Sequence, residues 1–206
     1  MDTNRKRKAP SRKVYEATKK DSAMLQGFIH PTASVSEKAQ VGEGTKIWHH
    51  CQVRENAVIG KTCILGKGVY IDRDVKIGDN CKIQNYACLY RGVSVEDGVF
   101  IGPHVTFTND MYPRSHLWNE ERVKETRVKM GASIGANATI LCGITIGTYA
   151  MIGAGSVVTK DVPAHVLVRG NPAEQVTYVC ECGHPLKKQG SKWICPVCDK
   201  LILVNP

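Results

Sequence analysis

The chain has 206 residues, 42% hydrophobic and 23% charged, with nine cysteines and a formal net charge of +9. That length suits one sizeable core with a small appended module. No apolar run is long enough to span a bilayer and the N-terminus is charged where a secretory leader would be apolar, so neither a membrane span nor export is expected; a cytoplasmic location is, and there cysteines point to metal ligation or burial rather than disulfides.

Residues 1–27 read as a basic arm. Residues 1–22 hold eight Lys/Arg against Asp2, Glu16 and Asp21, so +5 of the net charge sits there and only +4 on the rest. A short polar, basic stretch reads as a solvated arm, with helix formation over Val14 to Leu25 on docking as an alternative and an address or RNA contact as a weak signal.

A six-residue repeat follows. Ile29, Val35, Val41, Ile47 and every sixth residue to Phe107 are apolar, and fifth positions such as Ala33, Ala57 and Val69 are small or β-branched. The pattern resumes in a shifted frame at Val128, Ile134, Ile140, Ile146, Ile152 and Val158. A period of six is neither helical nor that of one strand; it fits an all-β solenoid, a parallel β-helix in which a short strand turns a corner in every hexad and three hexads close a coil. First and fifth side chains then point inward. At about 4.8 Å per coil the prism has between six and seven coils, roughly 30 Å in all. Cys51, Cys63 and Cys81 fall on fifth positions and read as small core residues; Cys88 and Cys142 are unassigned by the pattern, with packing favoured over reactivity.

The stretch PRSHLWNEERVKETR, residues 113–127, has no hexad register and is expected to leave the prism as a loop. Function concentrates on such loops, and Trp118 in a polar segment needs a surface to pack on. The lead-in gathers Asn109, Asp110, Tyr112 and Arg114. After the hexads, residues 177–206 form a separate module: Cys180 and Cys182, then Cys195 and Cys198, make two pairs that read as a structural zinc ribbon, with His184 able to replace one ligand because C-x-C is the less usual spacing.

The hexads, KIQNYACLYRGVSVEDGVFIGPHVTFTNDMYPR and GASIGANATILCGITIGTYAMIGAGSVVTKDVPAHVLVRGNPA together resemble the left-handed β-helix acyltransferases over about residues 28–176. They are most similar to the nucleotide-sugar N-acetyltransferases that acetylate the 3-amino group of UDP-2-acetamido-3-amino-2,3-dideoxyglucuronate for surface polysaccharide or glycan synthesis. The resemblance implies left-handed coiling, a homotrimer, and acetyl-CoA bound in clefts between prisms. It matches Asn85 to the residue facing the sugar amine, and it places Ala154 and Gly155 along the pantetheine with Thr159, Lys160 and Arg169 toward the nucleotide.

His104 is the general-base alternative to Asn85, because imidazole titrates near neutrality. An Asn ladder and an exposed corner histidine are the bland readings of the two. Tyr90, Arg91, Asn109 and Arg114 are candidates for the nucleotide sugar, since pyrophosphate and carboxylate favour Arg; Arg91 stands where the resembled enzymes often carry an acid, which leaves the sugar open, including another dTDP- or UDP-sugar as N- or O-acyl acceptor. A γ-type carbonic anhydrase would need two histidines five residues apart, and no pair here has that spacing. Nucleic-acid binding through the arm and ribbon is the non-enzyme rival, but the prism offers it no aromatic-lined groove.

Overall fold

The computed structural model describes residues 27–203 except Ser191. Residues 1–26 of the basic arm, with the expected Val14–Leu25 helix, lie outside the described residues. Short strands, most of them two residues long, stack into three sheets of nine, seven and six strands, parallel throughout except for the last strand of the first sheet. Lys46 pairs with Ile64, Gln52 with Tyr70 and Val58 with Lys76, so one coil takes 18 residues, three hexads.

The register stacks like on like. In the nine-stranded sheet Ile47, Leu65, Ile83, Ile101, Ile134 and Ile152 lie over one another along the prism axis, and all are buried. Each fully buried aliphatic side chain contributes about 1.5–3 kcal/mol relative to exposure, so first positions carry the fold. Fifth positions fill the corners. Cys51, Cys63 and Cys81 are buried there as the pattern required, their thiols donating to the carbonyls of Gly66, Gly78 and Glu96 at 2.9, 3.1 and 3.1 Å. Burial pushes the Cys51 thiol up, and the neighbouring Cys63 sulfur together with burial does the same to Cys81. Neither is a nucleophile in waiting. Cys142 is also buried, and burial raises the half-buried Cys88.

Fourth positions turn the corner in the left-handed backbone region. His50, Asn56, Thr62, Asp74, Asn80, Tyr86 and His104 all have φ between 55° and 63°. That conformation is costly for a residue with a Cβ, and a backbone hydrogen bond to the preceding coil helps hold it: Tyr86 N–H to the Lys67 carbonyl at 2.9 Å, His104 N–H to that of Asn85 at 3.0 Å.

Across the insertion Val93 pairs with Thr126 and Phe100 with Ser133, residues 33 apart instead of 18. Fifteen residues are therefore extruded. The chain rejoins the prism at Thr126, not at the Val128 that the expected loop boundary of 127 implied. Thr126 is a fully buried fifth-position residue whose hydroxyl accepts the Gly143 N–H at 3.1 Å, so a polar side chain occupies a core position that pattern reading passes over. At the other end the strand Glu174–Tyr178 turns back antiparallel on Val166–Arg169, so the prism continues to Tyr178. A three-stranded antiparallel sheet of Lys187–Gln189, Lys192–Ile194 and Leu201–Ile202 then forms the ribbon. Tyr178 packs against both cores and meets Trp193 edge-on at 4.9 Å, which docks the ribbon on the prism.

Candidate active site

The prism has three edges. From the nine-stranded sheet the chain passes Asn85 and Tyr86 into the seven-stranded sheet at Cys88–Leu89, then Arg91 and Gly92 into the six-stranded sheet at Val93–Val95. The expected site residues divide between these two edges. Asn85, His104, Ala154, Gly155 and the end of the strand bearing Arg169 belong to the first. Tyr90, Arg91, Asn109, Thr159 and Lys160 belong to the second, where the loop with Arg114 leaves the prism. One chain does not bring the two groups together, but both edges border the same seven-stranded sheet.

On the first edge Asn85 is exposed and its Oδ1 accepts the Lys67 N–H at 2.9 Å. It shares that arrangement with Asp79 over Lys61 and Asp97 over Asp79, each at 2.7 Å. In all three the residue 19 positions earlier is glycine, because a Cβ on Gly60, Gly66 or Gly78 would lie 2.3, 2.4 or 2.2 Å from the acceptor oxygen. Asn85 is thus a ladder residue; its second lone pair and its NH₂ group remain for a ligand.

His104, one coil on, stacks on Tyr86 with centroids 5.2 Å apart and 24° between planes, and Tyr86 lies over Gly68. The same Gly–Tyr–His column recurs on the third edge as Gly131, Tyr149 and His165. The two histidines differ in their ring nitrogens. His165 Nδ1 lies 3.0 Å from the Val179 carbonyl, whereas the His104 ring makes no hydrogen bond among the described residues. Corner stacking explains where both rings sit; only His104 keeps both nitrogens available for proton transfer. Gly155 lies two coils beyond His104, roughly 10 Å at the coil spacing, and is exposed together with Ala154. A Cβ at Gly153 would meet the Cβ of Arg169 at 2.8 Å, so Arg169 stands beside this stretch. Of the other histidines, His49 stacks on His30 at 3.5 Å and His50 turns a corner.

The second edge is a network of paired charges. Asp72 accepts the Arg73 N–H at 2.8 Å, the Tyr70 hydroxyl at 3.0 Å, the Arg91 N–H at 3.2 Å and Arg54 at 3.5 Å. Arg91, expected to meet substrate, instead pairs with Asp74 at 3.2 Å and with Glu120 of the loop, which Arg73 also holds at 2.7 Å. Lys160 pairs with Glu174 at 3.1 Å. Tyr90 stands half-exposed with its ring 5.5 Å from that of Tyr70. The loop is anchored by Arg122, which reaches Asp110 at 2.7 Å and also donates to the Tyr112 carbonyl; the Arg122 hydrogen bond holds the Asp110 carboxyl below its ordinary value. Two clefts flank that anchor: one of 390 Å³ lined by Asn109, Asp110, Pro113, Arg114, Ser115 and Trp118, the other of 320 Å³ lined in part by Asp110, Glu121 and Arg122.

In the ribbon all four expected thiols converge, their sulfurs within 4.8 Å of one another. Cys180–Cys198 and Cys182–Cys195 stand 3.5 Å apart and Cys182–Cys198 3.6 Å. Four thiolates around a tetrahedral zinc at about 2.3 Å would be separated by roughly 3.8 Å, so the spacing suits that ion with little adjustment and is far too long for disulfides. His184 stays outside the set, its Nδ1 3.5 Å from Cys182. The His184 backbone N–H and ring hold the Cys182 thiol down at about 6, and burial pushes Cys180 up to about 12.

Coils, ejected loop and exposed corner residues define a hexapeptide-repeat β-solenoid of the transferase kind. The model for the bacterial transferase hexapeptide (six repeats) matches residues 28–73, 74–109 and 125–160, and that for the hexapeptide repeat of succinyl-transferase matches 56–91. The break at 110–124 coincides with the extruded loop. The chain belongs to the bacterial hexapeptide transferase family. It is 45% identical over 168 residues, 82% of this chain and 86% of the relative, to dTDP-3-amino-3,6-dideoxy-alpha-D-galactopyranose 3-N-acetyltransferase of Aneurinibacillus thermoaerophilus. A serine acetyltransferase of Arabidopsis thaliana is 38% identical over 148 residues, covering 72% of this chain but 31% of its own. Among solved structures, a GDP-perosamine N-acetyltransferase variant of Caulobacter crescentus in complex with CoA and GDP-perosamine superposes with a TM-score of 0.52 at 26% identity, over 74% of this chain and 57% of that one.

Proposed function

We propose that the protein is an acetyl-CoA-dependent N-acetyltransferase acting on the amino group of a nucleotide-linked sugar, the 3-amino group in particular. The observation that carries this reading is the 45% identity, over 82% of the chain, to an enzyme that acetylates a 3-amino sugar on dTDP. The resemblance to enzymes of a UDP-linked 3-amino uronate points to the same amine. The pairing of Arg91 with Asp74 and Glu120 favours the neutral sugar of the two, because a guanidinium already flanked by two carboxylates is a poor host for a third.

The chemistry asks little of the side chains. The unprotonated amine attacks the thioester carbonyl; an N–C bond forms, the C–S bond breaks, and CoA departs as a thiolate that takes up the amine proton, directly or through the His104 imidazole. Asn85 orients the amine through its free amide valences. The pantetheine runs along Ala154 and Gly155, with Arg169 toward the nucleotide. The first edge of one prism then faces the second edge and loop of a neighbour, which makes the working unit a homotrimer with three such clefts. The four ribbon thiolates hold a structural zinc with no open position, whose role is folding.

Thiol release from acetyl-CoA, measured across a panel of UDP-, dTDP- and GDP-linked amino sugars, tests the activity. Turnover confined to 3-amino sugars is expected; none with any member refutes it. Light scattering of the full chain tests the trimer, and a monomer mass at micromolar concentration removes the shared cleft.

A further inference from the structure

The second edge is rich in arginine, yet nearly every guanidinium there is already answered by a carboxylate. Arg54 pairs with Glu55 and Asp72, Arg73 with Glu120, Arg91 with Asp74 and Glu120, and Arg122 with Asp110. Arg114 differs: among the described residues it meets no carboxylate, and its one hydrogen bond runs to the carbonyl of its neighbour Pro113 at 3.0 Å. It lines the 390 Å³ cleft together with Asn109 and Trp118, and the carboxylate in that lining, Asp110, is held by Arg122. The Asn109 carbonyl accepts the Lys124 N–H at 3.1 Å, which fixes the backbone and leaves the side-chain amide with no hydrogen bond among the described residues. The Trp118 indole is half-exposed at the cleft wall.

An aromatic face, a free amide and an uncompensated guanidinium in one concavity match three parts of a single ligand: a base to stack, a base edge to pair, and a phosphate to neutralise. We propose that this cleft takes the nucleoside diphosphate half of the acceptor, with the base on Trp118, the Asn109 amide against its edge and the Arg114 guanidinium on the diphosphate. The assignment rests on the reading that the acceptor is a nucleotide sugar. Of the two arginines expected to meet the nucleotide sugar, it gives anion recognition to Arg114 and leaves Arg91 in its ion pairs. The sister cleft of 320 Å³ also carries an aromatic ring, an amide and a cation in Tyr112, Asn119 and Lys124, but its arginine is committed to Asp110 and Glu121 adds a negative charge at the wall.

Calorimetric titration of the full chain with UDP and with dTDP, in the absence of sugar and CoA, tests the site. Wild type should bind at least one of them. Trp118→Ala should weaken that binding about 5- to 100-fold through lost stacking, and Arg114→Met about tenfold or more through the lost charge-assisted bonds. CoA binding should be unchanged in both variants. Nucleotide affinity in both variants equal to wild type overturns the proposal, as does a wild type that binds neither nucleotide. So does dissociation of Trp118→Ala in light scattering, which would mean that a neighbouring copy covers the indole. Failure here is separable from failure of the activity: acetylation persisting in both variants with an unchanged KM for the acceptor removes the cleft alone, whereas nucleotide binding that depends on Arg114 and Trp118 without turnover of any amino sugar removes the activity alone.

Discussion

Asn85 carries two roles that one pair of substitutions can separate. Its Oδ1 accepts the Lys67 N–H at 2.9 Å, while Asp79 does the same for Lys61 at 2.7 Å one hexad earlier. Both bonds are solvent-accessible, so removing either acceptor should cost about 0.5–1.5 kcal/mol, and at about 2–4 °C per kcal/mol for a chain of this size the melting temperature should fall by a few degrees in each variant. Turnover should not fall alike. If Asn85 also orients the amine, Asn85→Ala loses a further hydrogen bond in the transition state of about 1–3 kcal/mol, a five- to hundred-fold fall in rate, with acetyl-CoA affinity nearly unchanged because the expected CoA contacts lie on other coils. Asp79→Ala, on another edge, should acetylate at the wild-type rate. The assay is thermal unfolding beside steady-state thiol release. Equal turnover in the two variants would reduce Asn85 to its ladder role. A His104→Ala enzyme that is dead and has lost a pH limb near neutrality, beside an Asn85→Ala enzyme close to wild type, would assign proton acceptance to His104 and refute the orienting role.

Protein purified without chelator should carry one zinc per chain through Cys180, Cys182, Cys195 and Cys198; chelation should change Trp193 emission and leave the prism's melting transition in place, and metal analysis finding no zinc with all four thiols titrating freely would contradict this. Gly66→Ala should destabilise by about 1–3 kcal/mol through overpacking, since its Cβ would sit 2.4 Å from Asn85 Oδ1 and 2.8 Å from Asn85 N; an unchanged melting temperature would refute the steric reading of the ladder. The Asp110 carboxyl has a depressed value in the folded chain, so its pairing with Arg122 stabilises the loop fully above the ordinary carboxyl range, near 3.9, and loses that contribution as pH falls through the lower folded value. Protection of the amides of residues 112–124 relative to their intrinsic exchange should therefore fall at acid pH in wild type and be low at all pH values in Asp110→Asn; protection independent of both would remove the anchor.

The hexad period made the prism legible, because one inward first position per hexad repeats often enough to outweigh local noise. The register shift after Phe107 marked the extruded loop, and the cysteine spacing marked the ribbon. Thr126 was not legible as a rejoining point, since a buried hydroxyl satisfied by Gly143 looks polar in a sequence. The glycine 19 residues before each ladder residue was present in the chain as Gly60–Asp79, Gly66–Asn85 and Gly78–Asp97, and it marks Asn85 as structural to a reader who looks one coil back. Arg91 resembled an anion site by residue type alone. Its neutralisation draws on Asp74 of the preceding coil and on Glu120, which lies 29 residues downstream and returns to Arg91 only because the loop folds back on its own edge.

By itself, the sequence determined what repetition and short spacing can encode: the coil length, the core positions, the place of the loop, and the four thiols. Those features follow from side chains acting at a fixed period or within one hairpin. Tertiary structure decided which of the exposed polar groups remain free. Whether His104 or His165, Arg114 or Arg91, keeps its hydrogen-bonding capacity depends on neighbours brought in from other coils, the loop or the ribbon. A charge or ring nitrogen that is already paired has little left to offer a ligand, and that pairing is a property of the folded surface.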